Sequence, residues 1–150
     1  MVVDFAFKRT PEYRVASIGW TGPWKDATIR RNFEKVEKWA KAGGYGPSLW
    51  IFREPGERRW ETGVVVNARA RSEGSIRVHT LAATRVASVV FDPEVVSPAV
   101  VYHGLTDWLR WRKKEKKIRR VVSYREVYRG NPWKESSAYA RTDVQFVVRP

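Results

Sequence analysis

Residues 14–17 read Arg14-Val15-Ala16-Ser17, and residues 85–88 read Arg85-Val86-Ala87-Ser88, the same four 71 positions later. Working outward, Phe33, Val36, Trp39 and Ala40 find counterparts in Tyr102, Leu105, Trp108 and Leu109 at an offset of 69. Thr62-Gly63-Val64 is matched by Thr142-Asp143-Val144 at an offset of 80. Three matches in one order with a slowly drifting offset indicate an internal duplication. The chain is read as a single domain over 1–150 made of two modules, about 1–70 and 75–150.

The local signals repeat with the duplication. In the first module Val3 to Lys8 and Tyr13 to Trp20 alternate as strands do, with a turn at Thr10-Pro11. Thr21-Gly22-Pro23-Trp24 breaks the pattern before a helix with Asp26 or Thr28 at its N-cap. Ile29, Phe33, Val36 and Ala40 fall on one side of that helix, and Gly43-Gly44 ends it. Ser48 to Arg53 and Glu61 to Asn67 read as strands. The second module has strands at Ile76 to Leu81 and Thr84 to Phe91. A helix follows, with Ser97 as N-cap and Pro98 as its first residue. Val121 to Tyr128 and Asp143 to Val148 close it as strands.

Composition bounds the function. No cysteine is present, which excludes disulfides, thiolate metal sites and a cysteine nucleophile. His79 and His103 are too few and too far apart for a histidine-rich metal site, and we expect no cofactor. No apolar run approaches the roughly 20 residues a membrane helix needs, and Met1 to Thr10 lacks the core of a signal peptide, so a cytoplasmic location is expected. The formal net charge of +13 raises a nucleic-acid or other anionic partner. Much of that charge lies in Arg110 to Arg120, with eight basic residues and one acidic. Because the offset grows from 69 to 80 after the helix, this run is expected where the second module is longer. Its plain reading is a solvated helix end.

Several stretches together resemble the GyrI-like small-molecule-binding domain, also seen as the effector-binding domain of multidrug-responsive transcription regulators. They are Tyr13-Arg14-Val15-Ala16 with Gly22-Pro23-Trp24, the paired Trp39 and Trp108, Glu126-Val127-Tyr128 with Asn131-Pro132, and Thr142-Asp143-Val144-Gln145-Phe146. The resemblance runs from Val3 to Val148. It implies an α+β fold: a duplicated strand-helix-strand-strand module with pseudo-twofold symmetry and a curved antiparallel sheet backed by two helices. It also implies a ligand groove between the modules, on the sheet face away from the helices. With no DNA-binding region before residue 1, the stand-alone form is expected. Asp143 and Gln145 depart from the family's Glu and Tyr, and Phe91-Asp92-Pro93 replaces the second Gly-Pro-aromatic turn.

Strand alternation points to the same place. Tyr124, Glu126 and Tyr128 share one face of their strand, a carboxylate between two phenols. If Leu49, Ile51 and Val127 face the helices, Trp50 and Phe52 join them in the groove, with Asp143 and Gln145 from the last strand and Glu61 as a second acid. Trp24 adds a wall. Rings around an acid suit a hydrophobic, aromatic or cationic molecule. We therefore expect small-molecule binding by a receptor or sequestering protein, anchored on Glu126. The resemblance also admits a hydrolase of strained cyclopropanoid DNA-alkylating compounds, with Glu126 as base and Asp143 or Glu61 assisting. Haem binding, as in the similar SOUL proteins, would need a well-placed histidine.

Overall fold

A computed structural model describes residues 3–115 and 117–150; Met1, Val2 and Lys116, read above with the N-terminus and the basic run, lie outside them. In chain order the elements are β1 (Ala6–Thr10), β2 (Tyr13–Thr21), α1 (Asp26–Ala42), β3 (Trp50–Gly56), β4 (Arg59–Val65), β5 (Arg77–Leu81), β6 (Thr84–Phe91), α2 (Pro98–Arg112), β7 (Arg120–Tyr128), α3 (Ser136–Tyr139) and β8 (Thr142–Arg149). The strands form one antiparallel sheet in the order β1-β6-β8-β7-β3-β4-β2-β5. This is the α+β fold expected, a curved sheet backed by helices. Its order is symmetric about the β7–β3 pair, where Ile51 faces Val127 and Phe52 faces Glu126.

The first strand of each half crosses over: β1 pairs with β6, and β5 pairs with β2. Yet β1 is joined to β2 by residues 11 and 12 alone, and β5 to β6 by 82 and 83, although each pair lies at opposite ends of the strand order. Such short connections require the sheet to curl until its ends approach. Tyr13 on β2 consequently feels the charges of Arg125 on β7 and Asp143 on β8, across the inside of the curl.

Both helices pack on the outside. Ile29, Phe33, Val36 and Ala40 of α1 bury against Ala16, Trp50, Phe52, Val64 and Tyr128. Val101, Leu105 and Leu109 of α2 bury against Val89, Val144, Phe146 and Val148. Removing one such side chain from water contributes roughly 1.5–3 kcal/mol. The inner face has a smaller cluster of Val15, Ile51, Leu81 and Val127, with Leu49 beside it. The helices therefore cover Trp50 and Phe52 and leave Leu49, Ile51 and Val127 on the other side, the reverse of the expected assignment. Both alternating sets are apolar, so alternation separated them without saying which one the helices take.

Helix α1 begins at Asp26 with Lys25 in the N-cap position, and neither Asp26 nor Thr28 caps it by a side-chain hydrogen bond. Ser97 does precede α2, with Pro98 first in the helix, but its hydroxyl makes no capping bond. Gly44, at φ +68°, takes the left-handed conformation that closes α1.

The two helix-to-strand connections, 43–49 and 113–119, are equal in length. The extra residues of the second half lie instead in the β7–β8 connection, 129–141, where the β3–β4 turn needs only 57 and 58. The basic run thus occupies the ordinary connection, and the insertion carries α3.

Candidate functional site

A cavity of about 590 Å³ opens on the helix side of the sheet, between α1 and α2 and above the β3–β7 pair. Ile29 and Phe33 of α1 and Pro98 and Tyr102 of α2 form its sides, and Phe52, Tyr124, Glu126 and Tyr128 its floor. The face expected from the family resemblance, away from the helices, is not where it lies. Glu126 can face the same way as the helices because α1 covers the Trp50–Tyr128 end of the central pair and leaves the cavity above Glu126.

Glu126 stands between Phe52 on β3 and Val144 on β8. Tyr102 donates its hydroxyl to Oε1 at 2.8 Å, and Tyr128 donates to Oε2 at 2.5 Å. Among the described residues no Lys, Arg or His forms an ion pair with it. Burial, and then the Glu126 charge, push both phenols well above their usual range, so both remain protonated donors. The two neutral hydroxyls orient the carboxyl group without supplying a counter-charge.

The aromatic wall is built from the first half. Gly22, at φ +115°, shapes the turn before α1, and its carbonyl accepts the Trp60 indole N–H at 2.9 Å. Trp60 stacks on Phe52 at 5.9 Å, while Trp24 stands edge-on to Phe52 at 5.0 Å and donates to Asp26 Oδ1 at 2.6 Å. Trp24 is 52% exposed and sits at the mouth. Opposite, Tyr124 meets Phe146 edge-on at 4.7 Å. Phe91 and Pro93 also line the cavity, so the second half supplies an aromatic ring although it lacks the Gly-Pro-aromatic turn.

Five sequence-predicted residues, Glu126, Tyr124, Tyr128, Phe52 and Trp24, converge here. Four others do not. Trp50 shares the correct face but lies one alternation away on β3, buried in the core that α1 covers. Glu61, Asp143 and Gln145 lie on the inner face. Glu61 accepts from Arg53 at 2.7 Å and lies 2.8 Å from His79 Nε2. Asp143 pairs with Lys8 at 2.7 Å and accepts from Gln145 at 3.1 Å. The apolar set Val144, Phe146 and Val148 faces α2, and this sends their neighbours inward. Ser17 Oγ lies 3.1 Å from the same His79 Nε2 that meets Glu61. One nitrogen serving both partners makes this a structural contact and not a hydrolytic triad, which needs both ring nitrogens.

Besides Asp26, which was expected only as a helix cap and lines the cavity beside Trp24, two acids were missed. Glu54 pairs across the strands with Tyr124 and lines the cavity, its carboxyl raised by burial and by Glu57. Alternation from Phe52 would have found it, had β3 not been ended at Arg53. The other is Glu37, buried on α1, which accepts from Asn131 Nδ2 at 3.0 Å, Lys41 at 3.1 Å and Lys134 at 3.3 Å. Burial opposes its ionisation, but these three donors outweigh it and hold the carboxyl below its ordinary range. Glu37 thereby ties the 131–134 segment, and with it Pro132 and Trp133 of the cavity wall, to α1.

By sequence, neither a family model nor a curated protein matches the chain. Solved structures do match. The C-terminal domain of EcmrR superposes with a TM-score of 0.76 at 22% identity, over 99% of each chain. This chain has the GyrI-like fold. SAV2435 bound to tetraphenylphosphonium has a TM-score of 0.56 at 9% identity, over 97% of this chain and 94% of its own. A hydrolase from Listeria innocua reaches 0.58 at 13%, over 95% and 91%. Among the described residues, no helix is long and apolar enough to cross a membrane and no group of three His, Asp or Glu could hold a metal.

Proposed function

We propose that this GyrI-like domain binds a lipophilic cation bearing aromatic groups, as a receptor or sequestering protein, in the cavity above Glu126. The observation that carries this reading is Glu126 itself, a carboxylate among rings with two hydroxyl donors and no cationic partner among the described residues. Such an acid is costly when the cavity dries unless the ligand brings the compensating charge. Phe52, Trp60 and Trp24 offer ring faces and edges to a delocalised cation. The volume suits a drug-sized molecule. Tetraphenylphosphonium, the molecule bound by SAV2435, has this chemistry.

The direct test is a titration with tetraphenylphosphonium, followed by tryptophan fluorescence and calorimetry. Binding should occur, and Glu126→Gln should weaken it by about ten- to a hundredfold, the worth of a desolvated charge contact. Equal affinity in that variant would remove Glu126 as anchor.

Hydrolysis in the same cavity is the weaker reading. It would use Glu126 to activate water, yet Oε1 and Oε2 both already accept tyrosine hydroxyls, an arrangement that suits a fixed charge better than a proton acceptor. Incubation with a cyclopropanoid alkylating compound, read by mass spectrometry, distinguishes the two.

A further inference from the structure

The end of α2 carries a feature that the ligand cavity does not use. Trp111 is 81% exposed, on the solvent side of α2 with the exposed Val100, away from the buried Val101, Leu105 and Leu109. Its same-side neighbours one turn back are Trp108 and Asp107; exposed Arg110 precedes it in sequence, and past the helix end come Lys113, exposed Lys114 and Lys117, and Arg119 and Arg120. Among the described residues of 110–120, only Arg110 has an acidic partner, Asp107 at 4.0 Å; Glu115 is the other acid at hand. Arg112 lies over the Trp108 ring at 5.2 Å, which directs that guanidinium along the helix.

We infer that Trp111 and the surrounding lysines and arginines form a docking surface for single-stranded nucleic acid. A solvated helix end accounts for the charges but gives no reason for a fully presented indole ring among them. A single strand uses both: phosphates meet the cations, and an unpaired base stacks on the indole. A duplex keeps its bases stacked inside and offers that ring nothing. A membrane is disfavoured because the exposed Val100 on the same stripe stands about three turns from Trp111 with Asp107 between them, and interfacial helices need a continuous apolar face. A second copy of the chain would bring like charge against like.

The test uses the full chain and a fluorescein-labelled oligo-dT or oligo-rU of about twelve nucleotides, followed by anisotropy at several salt concentrations. Binding is expected at low ionic strength, with log K falling against log salt at a slope of about −3 if four or five phosphates are engaged. Trp111→Ala should weaken binding about tenfold and leave the slope unchanged, since it removes stacking and no charge. Lys114→Glu with Arg119→Glu should weaken it and flatten the slope. Glu126→Gln should leave it unchanged, which separates this surface from the cavity. No binding at low salt overturns the inference. So does Trp111→Ala binding as tightly as the parent, or Trp111-dependent binding to phosphatidylserine vesicles without binding to the oligonucleotides.

Discussion

The two faces of the sheet treat their acids in opposite ways. On the inner face Glu61 lies between Arg53 and His79, and Asp143 is held by Lys8. On the helix side Glu126 has two hydroxyls and no cation among the described residues. A carboxylate that already owns a counter-charge is part of the scaffold. One that is oriented but not neutralised has its electrostatic complement still to come. The arginines sort likewise: Arg125 borders the cavity between Tyr124 and Glu126, but its charge lies among Arg53, Tyr13 and Asp143 on the inner face, where burial together with Arg53 pushes the guanidinium down to about 10.

If this contrast is right, substitutions on the two faces should separate affinity from stability. The largest effect expected on affinity is Glu126→Gln, with no fall in melting temperature, because it removes an uncompensated charge. A fall of several degrees without loss of binding would reverse the roles. Next is Glu61→Gln, expected to cost about 2 kcal/mol in urea denaturation and to leave tetraphenylphosphonium affinity alone.

The same acid predicts a pH dependence. Burial alone would raise the Glu61 carboxyl, but the His79 hydrogen bond and Arg53 bring it down to about 2 from an ordinary 4.5. Its stabilisation is therefore complete above about 4.5 and is lost as pH falls towards 2. Over that interval the parent should lose stability more steeply than Glu61→Gln, and equal slopes would show that Glu61 is not the group responsible. Glu37→Gln comes third, at about 1–2 kcal/mol, with a loss of affinity smaller than that of Glu126→Gln because the 131–134 wall loosens. Tyr102→Phe should be mildest, lowering affinity about fivefold by removing one of two hydroxyls that orient the anchor.

Much of the fold could be read from the chain because duplication gives each signal twice. Arg14-Val15-Ala16-Ser17 and its repeat lie on β2 and β6, and the stripes at Phe33 and Leu105 are the buried faces of α1 and α2. The grouping of Tyr124, Glu126 and Tyr128 followed from alternation, which depends on the backbone alone. What alternation lacks is an absolute direction. Val127 and Ile51 are as apolar as Val144 and Phe146, and only the curl of the sheet decides which set meets a helix. That one ambiguity misassigned the face of the cavity and brought Glu61, Asp143 and Gln145 into it. The insertion was misplaced for another reason: an offset reports that residues were gained but not at which loop. Glu37 left only its i,i+4 spacing to Lys41 as a signal, since its other donors, Asn131 and Lys134, come from far along the chain.

The crossed strands have an engineering consequence. Because β1 completes the second half and β5 the first, a chain cut between residues 67 and 75 would yield two fragments, each presenting an unfilled sheet edge that fits the other. Neither fragment contains the whole cavity, since Trp24, Phe52 and Trp60 belong to one and Tyr102 and Glu126 to the other. A molecule spanning both walls would hold the fragments together, making the split protein a reporter whose reassembly reads out ligand concentration.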